Sequence, residues 1–185
     1  NISIIGQGFV GLSLSVVLGS KNFSVNAIEN NFDKLSQLRA GKSPFYEPKL
    51  NFFLKKSLKT KKLQFFDSIK NIFDKTNIIF ITVPTPNKNG KIDLTYIENV
   101  IKNLIPLIDN SSKKITIVIK STIAPGTTEK FIIPLLSQSK KKIGKDFFLA
   151  INPEFLREGF AIDDQLNPHV VVIGCQNNET MKILK

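Results

Sequence analysis

Apolar residues in this chain fall into short continuous runs, separated by longer stretches in which they recur every third or fourth position. The runs "ISII" (2–5), "SVNAI" (24–28), "LQFF" (63–66), "NIIFITV" (77–83), "ITIVIK" (115–120), "FFLAI" (147–151) and "VVVIG" (170–174) each predict a strand. Several carry Ile, Val or Phe at successive rather than alternate positions, as strands covered on both faces require. The periodic stretches predict helices over 9–20, 31–40, 47–58, 67–74, 94–108 and 126–138. Asp93 stands as N-cap before the fifth, and Pro125 with Gly126 punctuates the start of the sixth. Strand and helix alternating in this way form βαβ units. The expected fold class is therefore α/β, a doubly wound, mostly parallel sheet with helices on both faces. No repeat of solenoid period and no low-complexity linker divides the chain, so one domain over 1–185 is expected. Asn1 abuts a core strand and "NNETMKILK" resembles the opening of a helix that stops without a cap, which suggests a fragment of a longer protein.

Composition narrows the chemistry. With 185 residues, 42% hydrophobic and 22% charged, the chain can bury one real core. No apolar run approaches the ~18 residues of a membrane span, and no cationic leader precedes an apolar segment, so a cytoplasmic protein is expected. A single cysteine, Cys175, and a single histidine, His169, exclude an internal disulfide framework, a multi-thiolate zinc site and a His-based triad. No metal is expected. The net charge of +11 raises the question of a polyanionic partner. Its lysines are scattered, however, at Lys55–Lys56, Lys61–Lys62, Lys113–Lys114 and Lys140–Lys142, without interleaved aromatics. That pattern fits a solvated surface rather than a nucleic-acid face.

"IIGQGFVGLSLSVVL" sets Gly6, Gly8 and Gly11 in G-x-G-x-x-G spacing after a strand and at the opening of a helix, with Phe9 and Val10 between them. The first glycine permits a tight turn, the second lets backbone N–H groups approach a pyrophosphate, and the third lets helix and strand pack closely. This is the Rossmann-like dinucleotide pattern. Glu29 ends the second predicted strand, where a carboxylate accepts from ribose hydroxyls and repels a 2′-phosphate, favouring NAD over NADP. Lys34 follows on the next helix, within reach of the adenosine half or simply solvated. Turn-and-packing glycines with an ordinary strand-end Glu29 are the alternative.

In an open parallel sheet, ligands gather beyond the carboxyl ends of the strands. Three unusual segments follow strands here. "TVPTPNKNG" holds Val83, Pro84, Thr85 and Pro86 in a stiffened loop whose carbonyls and hydroxyl can line a cofactor. "KSTIAPGTT" presents Ser121 and Thr122 before a Pro-Gly turn, with hydroxyls directed into the same crevice or used only as turn and cap groups. "NPEFLREG" sets Glu154 and Glu158 four apart, with Arg157 beside the second. Its plainer reading is a helix start, with Asn152 as N-cap, Pro153 at N1 and Glu154 complementing the dipole, and with Glu158 and Arg157 as a surface ion pair.

Taken in order, "GQGFVGL", "SPFYEPKL", "VPTPNKNGKIDLTYIE", "VIKSTIAPGTT" and "NPEFLREGFAIDDQLNPHVVVIG" resemble the N-terminal, NAD-binding domain of the UDP-glucose/GDP-mannose dehydrogenase family over nearly the whole chain. The resemblance implies an NAD-dependent, four-electron oxidation of the C6 alcohol of a nucleotide sugar to a carboxylate, through a cysteine-bound thiohemiacetal and thioester. It implies Glu154 as the acid/base carboxylate of thioester hydrolysis and Thr122 as a hydroxyl holding the water. Glu158 is implied as a nicotinamide-end contact, and Phe155, Leu156 and Arg157 as part of a substrate-contacting segment with Glu154. The family's nucleophilic cysteine motif, G-x-C-F-P-K-D, and its long central helix are absent from these residues, and Cys175 lacks that motif. This piece alone is expected to be inactive and monomeric, and the full-length protein a homodimer or larger. UDP-glucose is the first expectation for substrate and GDP-mannose the second. A 6-phosphogluconate-like or hydroxyacyl-type dehydrogenase would need other strand-end motifs, and a non-catalytic dinucleotide sensor would not need Glu154 and Thr122.

Overall fold

The computed structural model describes residues 1–185. The main sheet uses strands β1 (Ile2–Ile5), β2 (Val25–Ile28), β3 (Leu63–Phe66), β4 (Ile78–Ile81), β7 (Thr116–Ile119), β8 (Phe148–Ile151) and β9 (Gly174–Cys175). A separate two-residue ribbon pairs β5 (Asn87–Lys88) with β6 (Lys91–Ile92). The helices are α1 (Phe9–Ser20), α2 (Phe32–Arg39), α3 (Leu50–Lys59), α4 (Thr95–Asn110), α5 (Ile133–Leu136), α6 (Ala161–Leu166) and α7 (Asn178–Leu184). Strand order is β3-β2-β1-β4-β7-β8-β9, with every pair parallel except β8–β9. The order reverses between β1 and β4, so a crevice opens at their carboxyl ends.

Why the strands read as continuous apolar runs is visible in the two cores. Phe80, Val118 and Ala150 face α1, α2, α3 and α6, while their neighbours Ile79, Ile81, Ile117, Ile119 and Leu149 face α4 and the helical segments of the other side. Both faces are buried, so both sets of positions must be apolar. On the second face Ile97, Ile101, Leu104 and Ile108 of α4 recur at helical spacing and are buried. Each contributes about 1.5–3 kcal/mol of burial. Ser3 and Thr76, both fully buried, satisfy each other through a hydroxyl–hydroxyl bond of 2.7 Å.

Several expectations need correction. The run 170–174 is not a strand over its length: only Gly174–Cys175 pairs, antiparallel with β8, and Val170, Val171 and Val172 are exposed. β8 offers partners only up to Ile151, so the valines extend past the end of the ladder. The helix expected over 47–58 begins at Leu50, because Lys49 adopts a left-handed φ of 66° that cannot continue a helix. The expected 67–74 helix is a 3-10 turn over Lys70–Lys75, and 126–138 divides into a π-helical turn (Thr128–Ile132) and the short α5. Asp93 does cap, but one residue earlier than the formal boundary: its carboxylate accepts from the Thr95 N–H at 2.9 Å.

The tightest contact in the fold lies between α1 and β1. A methyl group at Gly11 would overlap the Gly6 carbonyl oxygen and press on Thr82 Oγ1. Gly11→Ala is therefore expected to destabilise the chain by about 1–3 kcal/mol through overpacking, measured by urea unfolding. A change within about 0.3 kcal/mol would contradict the close approach.

Candidate functional site

The β1–α1 turn is built around Gly6, whose φ of +95° favours glycine. Thr82, just beyond β4, donates its hydroxyl to both Gly6 O (2.8 Å) and Ile5 O (2.9 Å), locking the turn to the neighbouring strand. Gln7 is fully buried; its amide donates to Ile4 O at 2.9 Å and accepts from Ser15 Oγ at 3.0 Å. Gly8 then caps α1 without any side-chain bond, so the first N–H groups, at Phe9 and Val10, have no intrahelical acceptor. A Cβ at Gly8 would meet no atom within 4 Å. The helix thus presents free donors and positive dipole potential to an open space, an arrangement that suits a pyrophosphate.

Glu29 lies beyond β2 and is buried. Its carboxylate accepts from Gln7 N (3.3 Å) and Asn31 N (3.0 Å), and Lys34 Nζ pairs with it at 2.8 Å. Lys34 therefore reaches Glu29 itself. The pair fixes the carboxylate beside the turn that carries the free helix donors, as a ribose acceptor must be fixed.

On the other side of β1, the ends of β4 and β7 are stitched together. Ser121 Oγ donates to Val83 O at 2.7 Å, and Thr85 Oγ1 donates to Thr122 O at 2.8 Å. The expectation that both Ser121 and Thr122 direct hydroxyls into the crevice is thus corrected for Ser121, which is buried and spent on a strand-end carbonyl. Thr122 is exposed, as is Pro84, while Val83 and Thr85 are half-buried.

"NPEFLREG" forms no helix: residues 152–157 are irregular, and α6 starts only at Ala161. Helix-dipole complementation therefore does not explain Glu154. One of its oxygens, Oε2, accepts from Leu156 N at 2.6 Å. Arg157 does not pair with Glu158. It grips Asp164 with two guanidinium bonds, of 3.2 and 2.7 Å, and with its own N–H at 3.0 Å, while stacking over Phe160 at 5.0 Å. Phe155 and Glu158 are exposed and Leu156 is half-buried. A cleft of about 580 Å³ is lined by Glu154, Phe155, Leu156 and Arg157 together with Lys120 and Asn152.

Four residues that shape this site were given no role by the sequence: Thr82, Glu47, Lys120 and Asp164. Glu47, in "SPFYEPKL", is buried and accepts from Gly159 N (3.0 Å) and Ala161 N (2.9 Å), tying the loop before α3 to the start of α6. Its motif was noticed, but nothing local shows a partner more than a hundred residues away. Lys120 carried a readable signal, a charge ending an otherwise buried apolar run.

The Arg157 guanidinium holds the Asp164 carboxyl well below the usual 3.8, at about 2. Folding lowers this pKa, so the pair adds stability that is complete above the unfolded value and is lost as pH falls towards 2. Melting temperature should be level above pH ~5 and fall between about pH 4 and 2; Asp164→Asn should lower it at neutral pH and flatten that fall. An unchanged acid slope in the variant would contradict the assignment.

The model of the UDP-glucose/GDP-mannose dehydrogenase family, NAD binding domain, matches residues 1–185. UDP-glucose 6-dehydrogenase of Rickettsia conorii is 39% identical over 186 residues, covering 100% of this chain and 41% of that protein. GDP-mannose 6-dehydrogenase of Pseudomonas syringae pv. tomato is 39% identical over 175 residues, covering 94% of this chain and 40% of the relative. The ternary-complex structure of GDP-mannose dehydrogenase from Pseudomonas aeruginosa superposes with a TM-score of 0.95 at 37% identity, over 99% of this chain and 42% of that one. The chain therefore spans about two-fifths of the length of these relatives. With a doubly wound sheet, an open helix N-terminus at "GQGFVG" and a matching family model from the first residue to the last, this chain belongs to the UDP-glucose/GDP-mannose dehydrogenase family, and its cofactor is NAD.

Proposed function

We propose that this chain is the cofactor-binding part of a nucleotide-sugar 6-dehydrogenase that oxidises the C6 alcohol of UDP-glucose to the carboxylate of UDP-glucuronate. The observation that carries the reading is Glu154 itself, on an irregular segment beyond β8 that is held by Glu47 and Asp164 and lines a cleft on the α1 and α6 face of the sheet. When bound, NAD would supply the hydride acceptor for the two oxidation steps. Gly6, Gly8, Phe9, Val10 and Gly11 cradle its pyrophosphate. Glu29, oriented by Lys34, takes the ribose hydroxyls. Val83, Pro84, Thr85, Thr122 and Glu158 would wall the nicotinamide end, with Ser121 holding the Val83 carbonyl from behind.

Glu154 serves as acid/base in the final hydrolysis, in which water adds to the thioester carbonyl carbon, the C–S bond breaks and the cysteine thiolate leaves, so that water supplies the second oxygen of the carboxylate. Oε2 is committed to the Leu156 N–H, so Oε1 takes the water's proton. The Thr122 hydroxyl, exposed at the same strand ends, holds that water. Phe155, Leu156 and Arg157 face the sugar. The nucleophilic thiol comes from another part of the full-length protein, since Cys175 lies on β9 opposite Ala150 with its thiol against Asn177 O at 3.4 Å. GDP-mannose is the second reading, favoured by the TM-score of 0.95 to a GDP-mannose dehydrogenase.

Two experiments test these assignments. A Cβ at Gly8 meets no protein atom, so Gly8→Val should keep its circular dichroism spectrum while NAD binding weakens by about tenfold or more; unchanged affinity by calorimetry would remove the pyrophosphate assignment. The full-length gene product should form two NADH per UDP-glucose consumed. One per sugar or none counts against the four-electron reaction, and two per GDP-mannose with none from UDP-glucose selects the second reading.

A further inference from the structure

Four charged residues of this chain are buried: Glu29, Glu47, Lys120 and Asp164. Three are balanced. Glu29 pairs with Lys34, Asp164 with Arg157, and Glu47 receives two backbone N–H bonds. Lys120 is different. It is only 6% exposed, forms none of the chain's salt bridges, and its Nζ contacts a single neutral residue, Asn152, at 3.1 Å to Oδ1 and 3.4 Å to the main-chain oxygen. A buried ammonium without an opposite charge is costly, and such groups concentrate where a site needs them.

What surrounds Lys120 indicates that need. It follows β7, and Asn152 follows β8, so the contact joins two neighbouring strand ends, the second of which leads into "NPEFLREG". Asn152 also donates from Nδ2 to Val172 O at 2.8 Å, which fixes its amide so that Oδ1 faces the lysine. Pro153 follows and cannot vary its φ, so the position of Asn152 sets where Glu154 emerges. Lys120 and Glu154 line one cleft. Burial lowers the pKa of the ammonium, and the Glu154 carboxylate opposes that pull. Other charged groups on the cleft are Arg157 and Asp164, which neutralise each other, His169 in the loop before β9, and Lys185 at the end of α7.

We propose that Lys120 is a positioning residue for Glu154: its ammonium anchors Asn152 and so fixes the exit of the Glu154 segment into the cleft that the two residues share. This rests on the reading of Glu154 as the acid/base group.

The test uses the full-length protein. Lys120→Met removes charge and clamp, whereas Lys120→Gln keeps a donor for Asn152 Oδ1 without the charge; neither leaves a buried cation unpaired, so both should fold. Lys120→Met should lower kcat about tenfold with KM and, by calorimetry, NAD affinity within about twofold of wild type, and Lys120→Gln should recover most of the loss, because its amide still donates to Asn152 Oδ1. Wild-type kcat in Lys120→Met, or a Lys120→Gln variant no more active than Lys120→Met, would overturn the positioning role. A stability cycle separates this pair from the reaction. Lys120→Met and Asn152→Ala should be non-additive in urea unfolding even if the wild-type protein forms no NADH, an outcome that would sink only the functional reading. Additive effects would overturn the pair.

Discussion

At the opening of α1, Gly11 sits against the carbonyl of Gly6 with no room for a side chain, and Thr82 closes the contact from the adjacent strand. Much of the site's geometry follows from that closeness. α1 is pressed onto β1 and β2, with α3 on one side and α6 on the other. Its uncapped N-terminus is brought to the reversal of strand order between β1 and β4, the place where a doubly wound sheet opens. The turn leaves no side chain to occupy the helix donors, since Gly8 carries none. Packing and binding therefore impose glycine for different reasons at neighbouring positions: Gly11 for the protein's own atoms, Gly8 for a ligand's.

A second layer of constraint is polar and long-range. The segment from Asn152 to Phe160 has no regular backbone ladder to hold it, so side chains do so. Asn152 is fixed from Lys120 and bonds Val172, Arg157 is clasped by Asp164, and Glu47 reaches across from the loop before α3. Such networks matter less for net stability than for placement, because buried polar groups restrict the arrangements in which all of them are satisfied. A surface ion pair between Arg157 and Glu158 would have left the segment free to move. The pairing with Asp164 instead tethers it to α6.

The elements that were legible in advance were those whose residues satisfy a local rule. Six of the seven expected strands form, because their apolar runs must be buried on both faces whatever their neighbours. α1 and α4 follow from periodicity and from an identifiable start. The failures are equally specific. "VVVIG" has strong β character, but the ladder ends at Ile151, and a strand exists only where a partner does. "NPEFLREG" has the residues of a helix start, yet a polar network fixes it in an irregular path.

For this protein the sequence by itself determined the fold class, the dinucleotide turn and the order in which the strand-end motifs follow one another. Those features depend on burial, on backbone freedom at glycine and on spacing along the chain, all of which are local. Only the tertiary structure decided that Ser121 is spent on Val83, that Lys34 serves Glu29, that Arg157 belongs to Asp164, and that Lys120 lies buried beside Asn152 in the cleft of Glu154. Two of those pairings, Ser121 with Val83 and Lys120 with Asn152, join residues more than thirty apart in the chain, and in all four which partner a charge or hydroxyl finds is settled by how the strand ends and loops are brought together rather than by residue type.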